Sequence, residues 1–176
     1  MKANNVILIG MSGAGKSTLG VLLAKALGKQ FCDTDLLIQE RAGALLQQII
    51  DREGNAAFLK LEEETILNAE ICNSVVATGG SVVYSDAAMR DLRSSGTVVF
   101  LDVSYEEIAA RLTSITTRGI VFRNAQDLRG VYEERLPLYQ KYADIRIPCT
   151  GHSIEDSVSE LVAHLTSHQH QKGEHP

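Results

Sequence analysis

Residues 5–18 read NVILIGMSGAGKST. Asn5 to Ile9 is a short apolar run that ends at a glycine, the pattern of a buried strand. Beyond the glycines, Leu19, Leu22, Leu23, Ala26 and Leu27 recur at three and four, one apolar stripe of a helix, and Gly28 stops it. Between them, Gly10, Gly15, Lys16 and Ser17 satisfy G-x-x-x-x-G-K-[ST]. Glycines, Gly13 among them, let backbone N–H groups curl around phosphate oxygens, and the helix that begins here adds its positive end. Lys16 is placed to reach β- and γ-phosphates, Ser17 to ligate Mg²⁺, and Thr18 follows in the same turn. A strand, a phosphate loop and a helix in that order predict a bound nucleoside triphosphate. They leave open whether its phosphoryl group goes to water, a protein or a small acceptor.

The remaining chain keeps alternating. Strands are expected at Phe31–Thr34, Val75–Thr78, Val98–Leu101 and Ala143–Ile147. Helices are expected around Leu36–Arg52 (broken near Gly43), from Gly54 to about Ile71, at Asp86–Ser94 and at Glu106–Leu112. Two more are expected from Ala125 to Leu136, ending at Pro137, and over the C-terminal apolar stripe from Ile154 to Leu165. Alternation of this kind predicts an α/β fold with a parallel sheet and helices on both faces. No repeat or linker divides residues 1–176, so a single domain is expected. Residues 113–124 have no clear period and carry two arginines, which suits a mobile lid. The tail from about 167 is expected to fray.

Composition narrows the partners. The 176 residues carry a net charge of −5, which disfavours nucleic acid. No apolar run approaches the roughly 20 residues of a membrane span, and the N-terminal run is too short for a signal sequence, so the cytoplasm is expected; a monomer is expected as well. Cys32, Cys72 and Cys149 are widely spaced and read as core-type side chains in a reducing compartment. His164 and His168 share a helix face, but nothing nearby completes a metal set.

The acceptor side rests on carboxylates, glycines and arginines. Asp33 and Asp35 sit at the carboxyl end of the second strand, the edge where parallel sheets bind ligands. One can organise Mg²⁺ through water and the other can orient an acceptor hydroxyl; the competing reading is a helix cap. Gly79 and Gly80 let backbone approach a ligand or simply make a turn. Arg118 either closes on phosphate or is a solvated loop residue, and Arg135 either binds an anion or pairs with Glu134.

In order, GMSGAGKST, FCDTD, GNAAF with its acidic run, ATGGS, the arginine-bearing loop and ERLPLYQKYAD make the chain resemble shikimate kinases from Ile7 to about Leu165. The resemblance implies a five-stranded parallel sheet of the nucleoside monophosphate kinase type, with ATP and Mg²⁺ as cofactors and a small hydroxylated acceptor. It implies an acceptor segment at about 34–62. Lys16 and Ser17 would serve ATP and Mg²⁺, and Asp33 would hold Mg²⁺ through water. Asp35 would bind acceptor hydroxyls and act as base. Gly79 and Gly80 would contact the acceptor, Arg118 would reach the phosphates, Arg111 would stack on adenine and Arg135 would bind the shikimate carboxylate.

Three positions depart from the family pattern. Ser81 stands where a third glycine is expected. The lid reads Arg118-Gly119-Ile120-Val121 rather than arginine-proline-leucine-leucine, and the glycine loosens it. Leu59 occupies the position of a carboxylate-binding arginine; it is expected to face the acceptor, with Phe58 and Leu61 as scaffold. Lys60 lies about 100° further round the helix and lacks the planar fork of arginine. Three functions therefore compete: a kinase acting on shikimate, a related kinase acting on another hydroxylated acceptor such as a cyclitol, and a non-catalytic nucleotide-binding module.

Overall fold

A computed structural model describes residues 4–113, 120–121 and 127–172. Five parallel strands form one sheet: β1 (Asn5–Ile9), β2 (Gln30–Asp33), β3 (Ser74–Ala77), β4 (Gly96–Asp102) and β5 (Ile145–Pro148). Their spatial order is β2-β3-β1-β4-β5. Val6 to Leu8 pair with Val75 to Ala77 on one side, and Asn5 to Ile9 pair with Gly96 to Phe100 on the other. Every residue of β1 and β3 is buried, as continuous apolar runs in a two-faced sheet require.

Helices α1 (Lys16–Leu27), α2 (Thr34–Ala42), α3 (Leu46–Leu67), α4 (Asp86–Ser95), α5 (Tyr105–Thr113), α6 (Leu128–Tyr142) and α7 (Ile154–Lys172) flank the sheet. Gly28 and Gly43 close α1 and α2 in the left-handed conformation. The turn expected at Gly54 is a kink within α3, where φ is 82°. Helices α2 and α3 pack together around a second apolar cluster of Ile38, Ile49, Phe58 and Val121, separate from the main core.

Three of the boundaries that differ from expectation have a clear physical reason or consequence. The second strand ends at Asp33, because its side-chain Oδ1 accepts from the Asp35 N–H at 3.0 Å and starts α2. Helix α6 does not stop before Pro137 but runs to Tyr142. A proline inside a helix costs about 3 kcal/mol. Here Arg135, Tyr139 and Tyr142 are all buried on either side of it, and their packing offsets that cost. Helix α7 continues to Lys172, into the segment expected to fray.

Leu8 is fully buried in the central strand. Leu8→Ala should lower unfolding stability by about 2–5 kcal/mol in a urea titration, through lost burial and the cavity left behind. A loss under about 1 kcal/mol would show that β1 is not the centre of the core.

Candidate active site

The loop after β1 folds as its glycines require. Gly10, Gly13 and Gly15 have φ of 145°, 84° and 90°, and α1 starts at Lys16. The buried Lys16 ammonium donates to the carbonyls of Gly10 at 2.7 Å and Met11 at 2.8 Å. The next residue, Ser17, donates from Oγ to Asp33 Oδ2 at 2.7 Å. Strand β2 is not beside β1, since β3 lies between them. Asp33 meets the loop through the first turn of α1 instead.

The two aspartates do not share a strand end. Asp33 closes β2 and caps α2, while Asp35 lies in the first turn of that helix. The cap and the site are not alternatives for Asp33: one oxygen receives the helix N–H and the other receives Ser17. Both aspartates line one cavity of about 560 Å³, together with Gly13, Gly15, Lys16, Ser17, Gly79, Gly80 and Arg135. A phosphate loop, two carboxylates and a guanidinium thus face a common space.

Arg135 is 1% exposed, yet its guanidinium is well held. Nε donates to the Tyr84 hydroxyl at 3.2 Å and Nη2 to the Val121 carbonyl at 2.6 Å. Nη1 lies 3.0 Å from where a Cβ on Gly80 would stand, so glycine keeps the approach to it open. Tyr139 donates to the Gly80 carbonyl at 2.6 Å and fixes that turn against α6. Arg135 is thus a buried, firmly held guanidinium at the cavity wall rather than a surface residue.

Leu59 departs from its expected place. It is half-buried beside the cluster of Ile38, Ile49, Phe58 and Val121, and it is not among the described residues of the cavity wall. Phe58, expected as scaffold, lines the cavity instead. One residue turns a helix by about 100°, so with Phe58 facing inward Leu59 is rotated past the wall.

A second hollow of about 370 Å³ adjoins the loop, lined by Gly13, Gly15, Thr18, Arg111, His152 and Ile154 among others. Arg111 donates to the Gly13 carbonyl at 3.1 Å and pairs with Glu107, which fixes its guanidinium at the loop's flank. Arg118 lies outside the described residues; of its neighbours, Val121 reaches the acceptor cavity.

The residue that sequence reading missed is Glu62. It belongs to the run Glu62-Glu63-Glu64, which reads as a solvated face, yet it is 2% exposed. Ser81 Oγ donates to its Oε2 at 2.8 Å, while Oε1 has no hydrogen-bond partner among the described residues. Burial pushes its carboxyl up to about 7, and the charge of Asp35 adds to the rise against the Ser81 hydrogen bond, Arg135 and Lys16. Tyr84, Phe58 and Tyr139 were also hidden, because an aromatic on a helix face reads as core.

The family model for shikimate kinase matches residues 12–166. A shikimate kinase of Geobacter sulfurreducens is 40% identical over 168 residues, covering 94% of this chain and 92% of that protein. One from Synechococcus is 37% identical over 169 residues, covering 94% and 86%. The solved shikimate kinase of Acinetobacter baumannii in complex with shikimate superposes with a TM-score of 0.86 at 28% identity, covering 94% of each chain.

Glu62 makes stability depend on pH. Its folded value of about 7 lies above its ordinary 4.5, so the folded state holds more protons between those values. Stability is then highest below about 4.5 for this group and falls as pH rises through 7. Urea titrations should show Glu62→Gln flattening that fall between pH 5 and 8. An unchanged slope would mean that Glu62 is ionised in the folded protein.

Proposed function

The chain belongs to the shikimate kinase family, and from that premise we propose that it transfers the γ-phosphoryl group of ATP to a hydroxyl of shikimate, forming shikimate 3-phosphate and ADP. The observation that carries this reading is that Lys16, Ser17, Asp35 and Arg135 all line the one 560 Å³ cavity. The donor loop and the acceptor groups therefore need no large rearrangement to meet.

ATP enters with its phosphates against the backbone N–H groups of the loop and the start of α1. Lys16 exchanges its two carbonyl partners for phosphate oxygens, and Arg111 flanks the base. Ser17 Oγ and the Asp33 carboxylate are adjacent hard oxygens, a donor set that suits Mg²⁺. When bound, the ion would neutralise charge on the transferring phosphate. Arg135 Nη1, reached past Gly80, holds the acceptor carboxylate. Asp35 orients the acceptor hydroxyl and receives its proton as the oxygen attacks phosphorus and ADP leaves. Arg118 from the lid completes the charge around the phosphates. Positioning and electrostatics supply most of the acceleration. We place the reaction in the cytoplasm and expect a monomer; among the described residues no helix is long and apolar enough to cross a membrane.

A second reading, another hydroxylated acceptor, is favoured by one observation. The described cavity wall holds a single guanidinium, that of Arg135, with Leu36, Leu45, Leu46, Phe58 and Val121 as apolar surface. Loss of one charge-assisted hydrogen bond to a carboxylate weakens binding by roughly 10- to 150-fold. A non-catalytic module fits less well, because Lys16, Ser17, Asp33 and Asp35 are all present and line one cavity.

ADP release should be measured with shikimate, cyclitols, simple polyols and no acceptor. Saturable turnover on shikimate at sub-millimolar concentration is expected, and turnover on a cyclitol alone would overturn the acceptor assignment. Asp35→Asn should lower kcat by about 10²- to 10⁴-fold with ATP binding retained. An unchanged kcat would remove Asp35 as the base.

A further inference from the structure

Glu62 is not used in the mechanism above, although it lies directly behind Gly79 and Ser81 of the cavity wall. A Cβ on Gly79 would stand 2.5 Å from Glu62 Oε1 and 2.9 Å from Asp35 Oδ1. The two carboxylates therefore converge over the Cα of Gly79, which itself lines the cavity. Ser81 holds Oε2, which leaves Oε1, buried and unpartnered, turned toward that meeting point.

The charges around it are unevenly placed. Asp35 on α2 repels a negative Glu62, while Arg135 on α6 and Lys16 on α1 attract it, and the buried phenol of Tyr139 faces it from α6. Both cations have other work. Arg135 is committed to the acceptor anion and Lys16 to phosphate, so each is less able to compensate Glu62 once substrates are bound. The position one helical turn before Glu62 is Leu59, which supplies no charge on that face. An orphaned, buried carboxyl with its counter-charges withdrawn is more stable neutral.

We propose that Glu62 is a positioning residue that takes up a proton as the anionic acceptor enters, so that the acceptor meets one negative carboxylate, Asp35, rather than two. The proton resides on Oε1, and Ser81 keeps the carboxyl in register. Ser81 thereby has a task that glycine cannot perform. This rests on the acceptor assignment above, because only an anion draws the proton in. Acceptor affinity is then greatest at low pH, and weakens by up to about tenfold per pH unit once Glu62 ionises in the free site.

The test is calorimetric titration of shikimate into the intact protein at about pH 7.5, in two buffers of different ionisation enthalpy. A difference in heat that reports proton uptake is expected. Glu62→Gln should abolish the uptake and flatten the dependence of Kd on pH between about 6 and 8.5. Ser81→Ala removes a hydrogen bond that favours the ionised form. It should therefore move the pH of greatest uptake upward; a purely structural role would change Kd without moving it. Binding without uptake, or uptake that persists in Glu62→Gln, overturns the proposal while leaving the acceptor assignment intact. Absence of both binding and turnover on shikimate overturns the assignment, and the proposal falls with it.

Discussion

The parallel pairing of β1 between β3 and β4 is the constraint from which the site follows. It carries the phosphate loop to the middle of the sheet's carboxyl edge. It also brings Gly79 and Gly80, at the end of the neighbouring strand, to the same edge. The glycine-rich loop and the start of α1 then stand together at that edge, the kind of place where anions bind. Asp33 links this loop to the acceptor side, because a single carboxylate holds both Ser17 and the first turn of α2. Donor and acceptor halves are thereby registered through one side chain.

The acceptor half is governed by charge balance around buried groups. Arg135 is held in burial by the Tyr84 hydroxyl and the Val121 carbonyl, which accept from it. Among the described residues Glu62 accepts a hydrogen bond only from Ser81, and burial, with the charge of Asp35, raises its carboxyl against the pull of Arg135 and Lys16. Leu59, Ser81 and Glu62 form a connected set in this account. Leu59 leaves the helix face before Glu62 without a cation, and Ser81 supplies a neutral partner in its place. The two departures from the family pattern nearest the acceptor thus bear on the same buried carboxyl.

Much of this was legible in the sequence. The five strands and the phosphate loop were readable because apolar runs ending in glycine have few other structural meanings. Asp33, Asp35, Gly79, Gly80 and Arg135 were found by position at strand ends and in ordered motifs, and the structure brings all five to one cavity. Leu59 and Phe58 exchanged roles, since motif alignment fixes position along a helix but not which neighbour turns inward. Glu62 was hidden because an acidic run looks solvated, and only the packing of α3 against the turn after β3 shows that one of its members is enclosed. Pro137 misled for a related reason: the local rule for ending a helix yields when three buried side chains anchor it on either side.

The most direct measurement of the central claim is the ³¹P spectrum of the protein incubated with ATP, Mg²⁺ and shikimate. The γ-phosphate signal should decline in step with growth of a phosphate monoester on the acceptor, with ADP as the other product. Loss of the γ signal to inorganic phosphate, or no loss while ATP remains bound, would contradict it.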